Sequence, residues 1–312
     1  MSFEQGAIPR KGYLIVVTAA LMWAVSGTSS KFLFNQGITP LQLVQLRVTF
    51  SAAFLFLVLL GARRSLLEIS LRDIPYFAVL GISGMAMITF TYFYAISKIN
   101  VAVAILLQYL APVFIAVFYA FTAPEKLTRT TLVAVTLSVF GCYLAVGAYN
   151  VNFLALNWRG VVVGVLSGLA YAWYTIYGER GMRRYDPWTV VFYSFLFAGL
   201  FWNLAAPFSA FRVSYTAVQW FWIAYIVVFG TAIPYSLYTM GISLIRSTRA
   251  SVTATLEPIA AAFAAWIFLG EFLDLLQILG GALVIASIII LQLGREHDES
   301  TSSIIRKKTN PR

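Results

Sequence analysis

The stretch VTATLEPIAAAFAAWIFLGE, residues 252–271, sets a carboxylate, Glu257, beside Pro258 near the middle of an apolar run about as long as a bilayer is thick. In hydrocarbon an unpaired charge and a missing backbone donor each need a partner. Three chemistries are open to Glu257: to carry a proton, to hold a cationic ammonium group, or to bond a neighbouring helix. A second charge, Arg47, also lies inside an apolar run. It either touches a solute or pairs with a carbonyl or a helix end. Around these charges the sequence offers polar aromatic faces. Trp23, Ser26, Gly27 and Ser30 fall at i, i+3, i+4 and i+7, one face of a helix, and Tyr171, Tyr174, Thr175 and Gly178 repeat the spacing. Other runs bring Thr89 with Tyr92, Gln108 with Tyr109, Tyr235 with Tyr238, and Thr253. Tyrosine and tryptophan pair an apolar ring with one polar atom, so a wall of them suits an amphipathic organic molecule, or a cationic amine through its ring faces. The plainer alternative is that the rings pack or anchor helices at the membrane interface, and that the hydroxyls bond their own helix carbonyls.

The elements that must position these residues are membrane helices. The chain of 312 residues is 60% hydrophobic and only 11% charged, against about a quarter charged in soluble domains. Ten apolar runs of about 20 residues follow one another, near 12–34, 40–61, 74–97, 101–122, 130–148, 159–179, 187–207, 218–242, 248–269 and 274–294. Thr39-Pro40 and Asp186-Pro187 read as N-caps followed by proline at the first helical position. With the N-terminus in the cytoplasm, 17 Lys and Arg fall on the inner side, four on the outer side (Lys31, Lys98, Arg159, Arg212), and Arg47 within a span. That asymmetry predicts both termini in the cytoplasm and explains the net charge of +10 without nucleic acid. One cysteine (Cys142) and one histidine (His297) give no metal-ligand spacing, and no Walker loop or Ser–His pairing is present, so neither cofactor nor enzyme activity is expected.

The chain also repeats itself. Residues 96–125 align without gaps onto 242–271, with Pro112 on Pro258 and Glu125 on Glu271. At a similar offset Trp23, Ser26, Gly27 and Ser30 fall on Tyr171, Tyr174, Thr175 and Gly178. Lys31 and Glu179 also correspond, at opposite faces, and are candidate gate residues. Five helices followed by five similar ones predict an inverted-topology repeat, because an odd number makes the second half enter from the other side. The predicted organisation is a cytoplasmic N-terminus (1–11), a first repeat (12–148), an external linker (149–158), a second repeat (159–294) and a disordered cytoplasmic tail (295–312). Pro112 and Pro258 should break their helices near the midplane and free carbonyls there. Glu125 and Glu271 sit where a carboxylate would cap the next helix.

These features resemble the drug/metabolite transporter superfamily, in particular its ten-helix EamA type: the two five-helix halves, LAP and LEP in the mirrored helices, and the ends APEKLT and FLGEFLD. LEPIAAAFAAWIFLGE is the most specific match. The resemblance implies an all-α integral membrane fold and a secondary transporter without catalytic activity. It also implies a central cavity lined by helices one, three, four, six, eight and nine. The candidate cavity residues are then Trp23, Ser26, Tyr92, Gln108, Tyr109, Tyr171, Tyr174, Thr175, Tyr235, Tyr238 and Thr253, with Glu257 as the coupling or charge candidate. Within the superfamily, similarity to bacterial amino-acid exporters points to export of amino acids or related amphipathic metabolites. Amines, drugs, nucleobases or vitamins, and uptake, are the alternatives. The expected partners are a small-molecule solute and the lipid bilayer, with protons as the coupling ion in the reading where Glu257 carries one; the protein is read as a monomer of the inner or plasma membrane.

Overall fold

The computed structural model describes residues 7–122, 128–152, 156–207, 209–212, 214–269 and 274–309. Glu125 and Glu271 lie outside the described residues. Among those described there is no strand, and the helices run α1 (Ala7–Asn35), α2 (Pro40–Ala62), α3 (Ile74–Val79), α4 (Met87–Lys98), α5 (Val101–Gln108), α6 (Ala111–Thr122) and α7 (Arg129–Ala145). The second half holds α8 (Trp158–Gly181), α9 (Pro187–Ala205), α10 (Ala217–Val227), α11 (Ile233–Ile245), α12 (Ser247–Ala254), α13 (Leu256–Leu269) and α14 (Leu275–Thr309). A π-helical segment, Leu80–Ala86, fuses α3 to α4, and another, Val228–Ala232, fuses α10 to α11. Joined in this way, and with α5 and α6 taken together, eight helical segments among the described residues are long and apolar enough to cross a membrane. The fifth crossing, α7, is shorter, and the ninth is divided into α12 and α13. Large apolar side chains such as Leu57, Phe121 and Leu204 are exposed on the outside, a surface that fits lipid and not water.

The start signals behave as read. Thr39 caps α2 in a capping box with Gln42, with Pro40 in the first turn. Asp186 accepts from the Trp188 amide (2.9 Å) ahead of Pro187. The tail departs from expectation: α14 continues to Thr309, through residues expected to be disordered. No glycine or proline interrupts the chain between Gly294 and Pro311, so nothing in that stretch stops a helix already nucleated in the membrane.

The mirrored prolines break their helices one turn upstream. α5 ends at Gln108 and α12 at Ala254, each four residues before its proline. Proline has no N–H to meet the carbonyl at i−4, and its ring crowds that carbonyl, so the first half-helix stops there. Pro112 and Pro258 then sit in the first turns of α6 and α13, where no donor is needed.

The packing obeys the same inverted symmetry. α1 lies along α11 and α4 along α8, so the first helix of each half rests on the third crossing of the other half. Gly12 in α1 faces Leu244 and Ile245, and Gly160 in α8 faces Lys98 and Ile99. A Cβ on Gly12 would lie 2.9 Å from Leu244, and one on Gly160 2.7 Å from Ile99, so both contacts need glycine. The two π segments, starting at Leu80 and Val228, occupy corresponding places. Within them, Gly84 packs on Tyr174 and Gly230 on Ser26, the two partners being repeat equivalents. α7 and α14 stand beside this core and meet at Gly141 and Gly280.

Candidate functional site

The two broken helices meet at the centre of the molecule. The Tyr109 hydroxyl, at the end of α5, donates to Oε2 of Glu257 in the first turn of α13 at 2.7 Å. Both residues are buried. One hydrogen bond therefore ties the break of the first repeat to the break of the second. The freed backbone is packed tightly: Gly168 of α8 lies against the carbonyls of Leu107 and Gln108, where a Cβ would come within 2.7 and 3.1 Å. At the other break, the Cys142 thiol donates to the Thr255 carbonyl at 3.8 Å.

A small cavity of about 30 Å³ opens at this junction. Glu257, Tyr109 and Gln108 form one part of its wall, and Trp23, Ser26 and Gly27 of α1 another. Tyr92, Thr89 and Ile88 from α4, Tyr171 from α8 and Tyr235 from α11 complete it together with Arg47 of α2. Trp23 is the hub of the rings, with centroids 5.0 Å from Tyr235, 5.4 Å from Tyr238 and 6.5 Å from Tyr171. A space this size holds a couple of water molecules, not an organic solute, which needs about 300 Å³ or more. In this conformation the space between the walls is therefore too small for such a solute.

Of the two alternatives open to Arg47, a solute contact or a carbonyl partner, the structure shows the carbonyl partner and places the side chain at the cavity. Its helix is not among those expected to line the cavity, yet its side chain is buried in the cavity wall. Nη2 donates to the Gly230 carbonyl at 3.1 Å, in the π segment between α10 and α11. The guanidinium lies 4.7 Å from the Phe93 ring centroid and 5.9 Å from that of Tyr235. The available signal was its charge inside an apolar span. Arg47 and Glu257 line the same cavity without forming an ion pair with each other.

Eight of the candidate residues, Trp23, Ser26, Tyr92, Gln108, Tyr109, Tyr171, Tyr235 and Glu257, come together on this cavity. Four others stand behind the wall. The Tyr238 hydroxyl pairs with Thr175 Oγ1 at 3.1 Å, Tyr174 pairs with Thr239 at 3.3 Å, and Thr253 donates to the Arg249 carbonyl of its own helix at 2.7 Å. Their hydroxyls are satisfied by protein neighbours, so they support the wall rather than form it. Pro112 and Pro258 likewise act through the backbone.

Lys31 and Glu179 hold the helix joints. Lys31 donates from Nζ to the Ile96 carbonyl at 2.9 Å, near the end of α4. Glu179 accepts from the Ser247 amide at 2.9 Å and from the Tyr119 hydroxyl at 3.2 Å, and pairs with Arg246 Nε at 3.4 Å. Arg246 is the single residue between α11 and α12, and this tight joint forces its φ to +71°, a region that non-glycine residues rarely occupy. The two residues are related by the repeat. The cation meets a carbonyl near a helix C-terminus, and the carboxylate meets an amide at a helix N-terminus, each matching the local dipole.

Two inverted repeats enclosing a cavity between broken helices are an architecture of membrane transporters. Comparison with known proteins agrees. The EamA-like transporter family model matches residues 10–147 and again 158–293, and the chain belongs to that family. An uncharacterized transporter of Archaeoglobus fulgidus is 31% identical, over 88% of this chain and 94% of its own length. The uncharacterized inner membrane transporter YicL of Salmonella typhimurium is 30% identical, over 91% and 96%. The pseudopaline exporter CntI of Pseudomonas aeruginosa is 26% identical, over 90% and 96%. A crystal structure of a protein with 20% identity superposes with a TM-score of 0.76, covering 92% of this chain and 98% of that one; it bears on the fold alone.

Proposed function

We propose that this transporter is a secondary carrier that exports amino acids or related amphipathic metabolites across the cytoplasmic membrane. In this reading both termini face the cytoplasm, the working unit is a monomer, and the two repeats rock about the midplane cavity. The observation that carries it is the composition of that cavity: an aromatic wall from both repeats, with one buried cation and one buried carboxyl. Rings of Trp23, Tyr171 and Tyr235 offer apolar area with polar edges, which fits a solute with an apolar side chain and a charged head. Glu257 is the candidate coupling group, because a carboxyl at the junction of the two broken helices can exchange a proton as access alternates. The direction follows the likeness to an exporter. Organic amines are the second reading, favoured by a carboxyl surrounded by rings, and opposed by Arg47 in the same wall.

Counterflow into proteoliposomes, with labelled amino acids, amines and nucleobases as separate sets, tests the proposal. Amino acids should exchange, and Ala in place of Trp23 or Tyr235 should weaken apparent affinity by roughly 1–3 kcal/mol. Exchange of amines or nucleobases alone would reject the amino-acid assignment.

A further inference from the structure

Three buried side-chain polar atoms in the walls of this one cavity, Trp23 Nε1, Arg47 Nε and Tyr92 Oη, lack a hydrogen-bond partner among the described residues. Buried polar atoms in native proteins are satisfied by protein, water or ligand, so a cluster of orphans around a void marks where such a partner belongs. The three come from α1, α2 and α4 and can all donate. Across the junction the only carboxyl in the wall, Glu257, gives Oε2 to Tyr109 and leaves Oε1 without a donor.

We propose that the cavity, widened when the two repeats move apart, is a bipolar site for a zwitterion. The carboxylate of the solute lies against Arg47 Nε with Tyr92 and Trp23, and its ammonium lies against Oε1 of Glu257. The proposal rests on the transporter reading above and narrows its substrate to molecules carrying both charges. The physical reason is the cost of leaving a buried polar group unpaired. A simple amine satisfies Glu257 and strands the donors around Arg47. A simple carboxylic acid satisfies Arg47 and strands Glu257. Only a molecule with both ends satisfies both poles, and a site built to bond a polar group rejects an analogue that lacks it far more strongly than an apolar pocket rejects a missing methylene. Arg47 and Glu257 are held apart by their own anchors, the Gly230 carbonyl and the Tyr109 hydroxyl, so they do not collapse onto each other when the site is empty.

Matched triplets provide the test: leucine, isopentylamine and 4-methylpentanoate, and tyrosine, tyramine and 3-(4-hydroxyphenyl)propanoate. Each is used to inhibit proteoliposome counterflow of whichever labelled amino acid the carrier exchanges. In the wild type the zwitterion should outcompete both analogues by about tenfold or more. Glu257→Gln should erase the preference over the acid and keep the preference over the amine, while Arg47→Gln should do the reverse. Tyr92→Phe, which removes one hydroxyl and no charge, should lower the preference over the amine if Arg47→Gln fails to fold. A structural role for either charge would change all three competitors alike. Equal competition by amine or acid in the wild type, or parallel shifts in the two variants, would overturn the bipolar assignment while leaving the amino-acid carrier intact. No exchange of any amino acid would remove the carrier reading first, and the bipolar site with it.

Discussion

The hydrogen bond from Tyr109 to Glu257 is the only described side-chain bond that joins the two helix breaks, and it should be worth a measurable fraction of the fold's stability. Tyr109 is 1% exposed and Glu257 6%, so neither group has bulk water to fall back on. Tyr109→Phe removes the donor and leaves Oε2 buried without a partner. A bond of 2.7 Å to a carboxyl in such a setting implies a loss of about 1.5–3 kcal/mol. Glu257→Leu strands the tyrosine hydroxyl instead and should cost about 1–3 kcal/mol. Removing both partners leaves nothing stranded, so the double variant should be little worse than the poorer single one, giving a coupling of about 1–3 kcal/mol. Glu257→Gln keeps an acceptor oxygen for Tyr109 and should lose least. The assay is equilibrium unfolding of the purified protein in mixed micelles, for the wild type, both single variants and the double variant. Additivity within about 0.5 kcal/mol would show that the two residues do not act as a pair and would refute the argument that this bond ties the repeats together.

Three further outcomes are open to direct measurement. Gly168→Ala should destabilise the protein by about 1–3 kcal/mol, since its Cβ would sit 2.7 Å from the Leu107 carbonyl, while Gly178→Ala on the same helix meets nothing within 4 Å and should be neutral or slightly stabilising in the same unfolding assay. If Glu257 carries the coupling proton, Glu257→Gln should abolish gradient-driven accumulation and leave exchange intact; normal driven accumulation by this variant would eliminate that role. Single cysteines at Asn152 or Ser214 should react with an impermeant reagent from outside the cell and one at Ser302 should not, as the distribution of Lys and Arg requires; the opposite pattern would place the termini outside.

Much of the fold was legible in the sequence because its signals are local or one-dimensional. Span length is set by bilayer thickness, helix starts by Thr39-Pro40 and Asp186-Pro187, and the inverted repeat by an odd number of matching helices. The aromatic faces of α1 and α8 were visible through their helical spacing, and Glu257 through the cost of a charge in hydrocarbon. What the sequence left open depended on how each helix is rotated about its own axis and which neighbour it meets. Tyr171 and Tyr174 lie three residues apart, yet Tyr171 reaches the cavity while Tyr174 packs under Gly84 and pairs with Thr239. By sequence Tyr238 is as good a candidate as Tyr235, but in the fold its hydroxyl pairs with Thr175. Arg47 could be placed only in three dimensions, because its partners, the Gly230 carbonyl and the Phe93 ring, come from distant crossings. A helical period fixes which residues share a face; only the packing of crossings against one another fixes which face becomes the wall of a site.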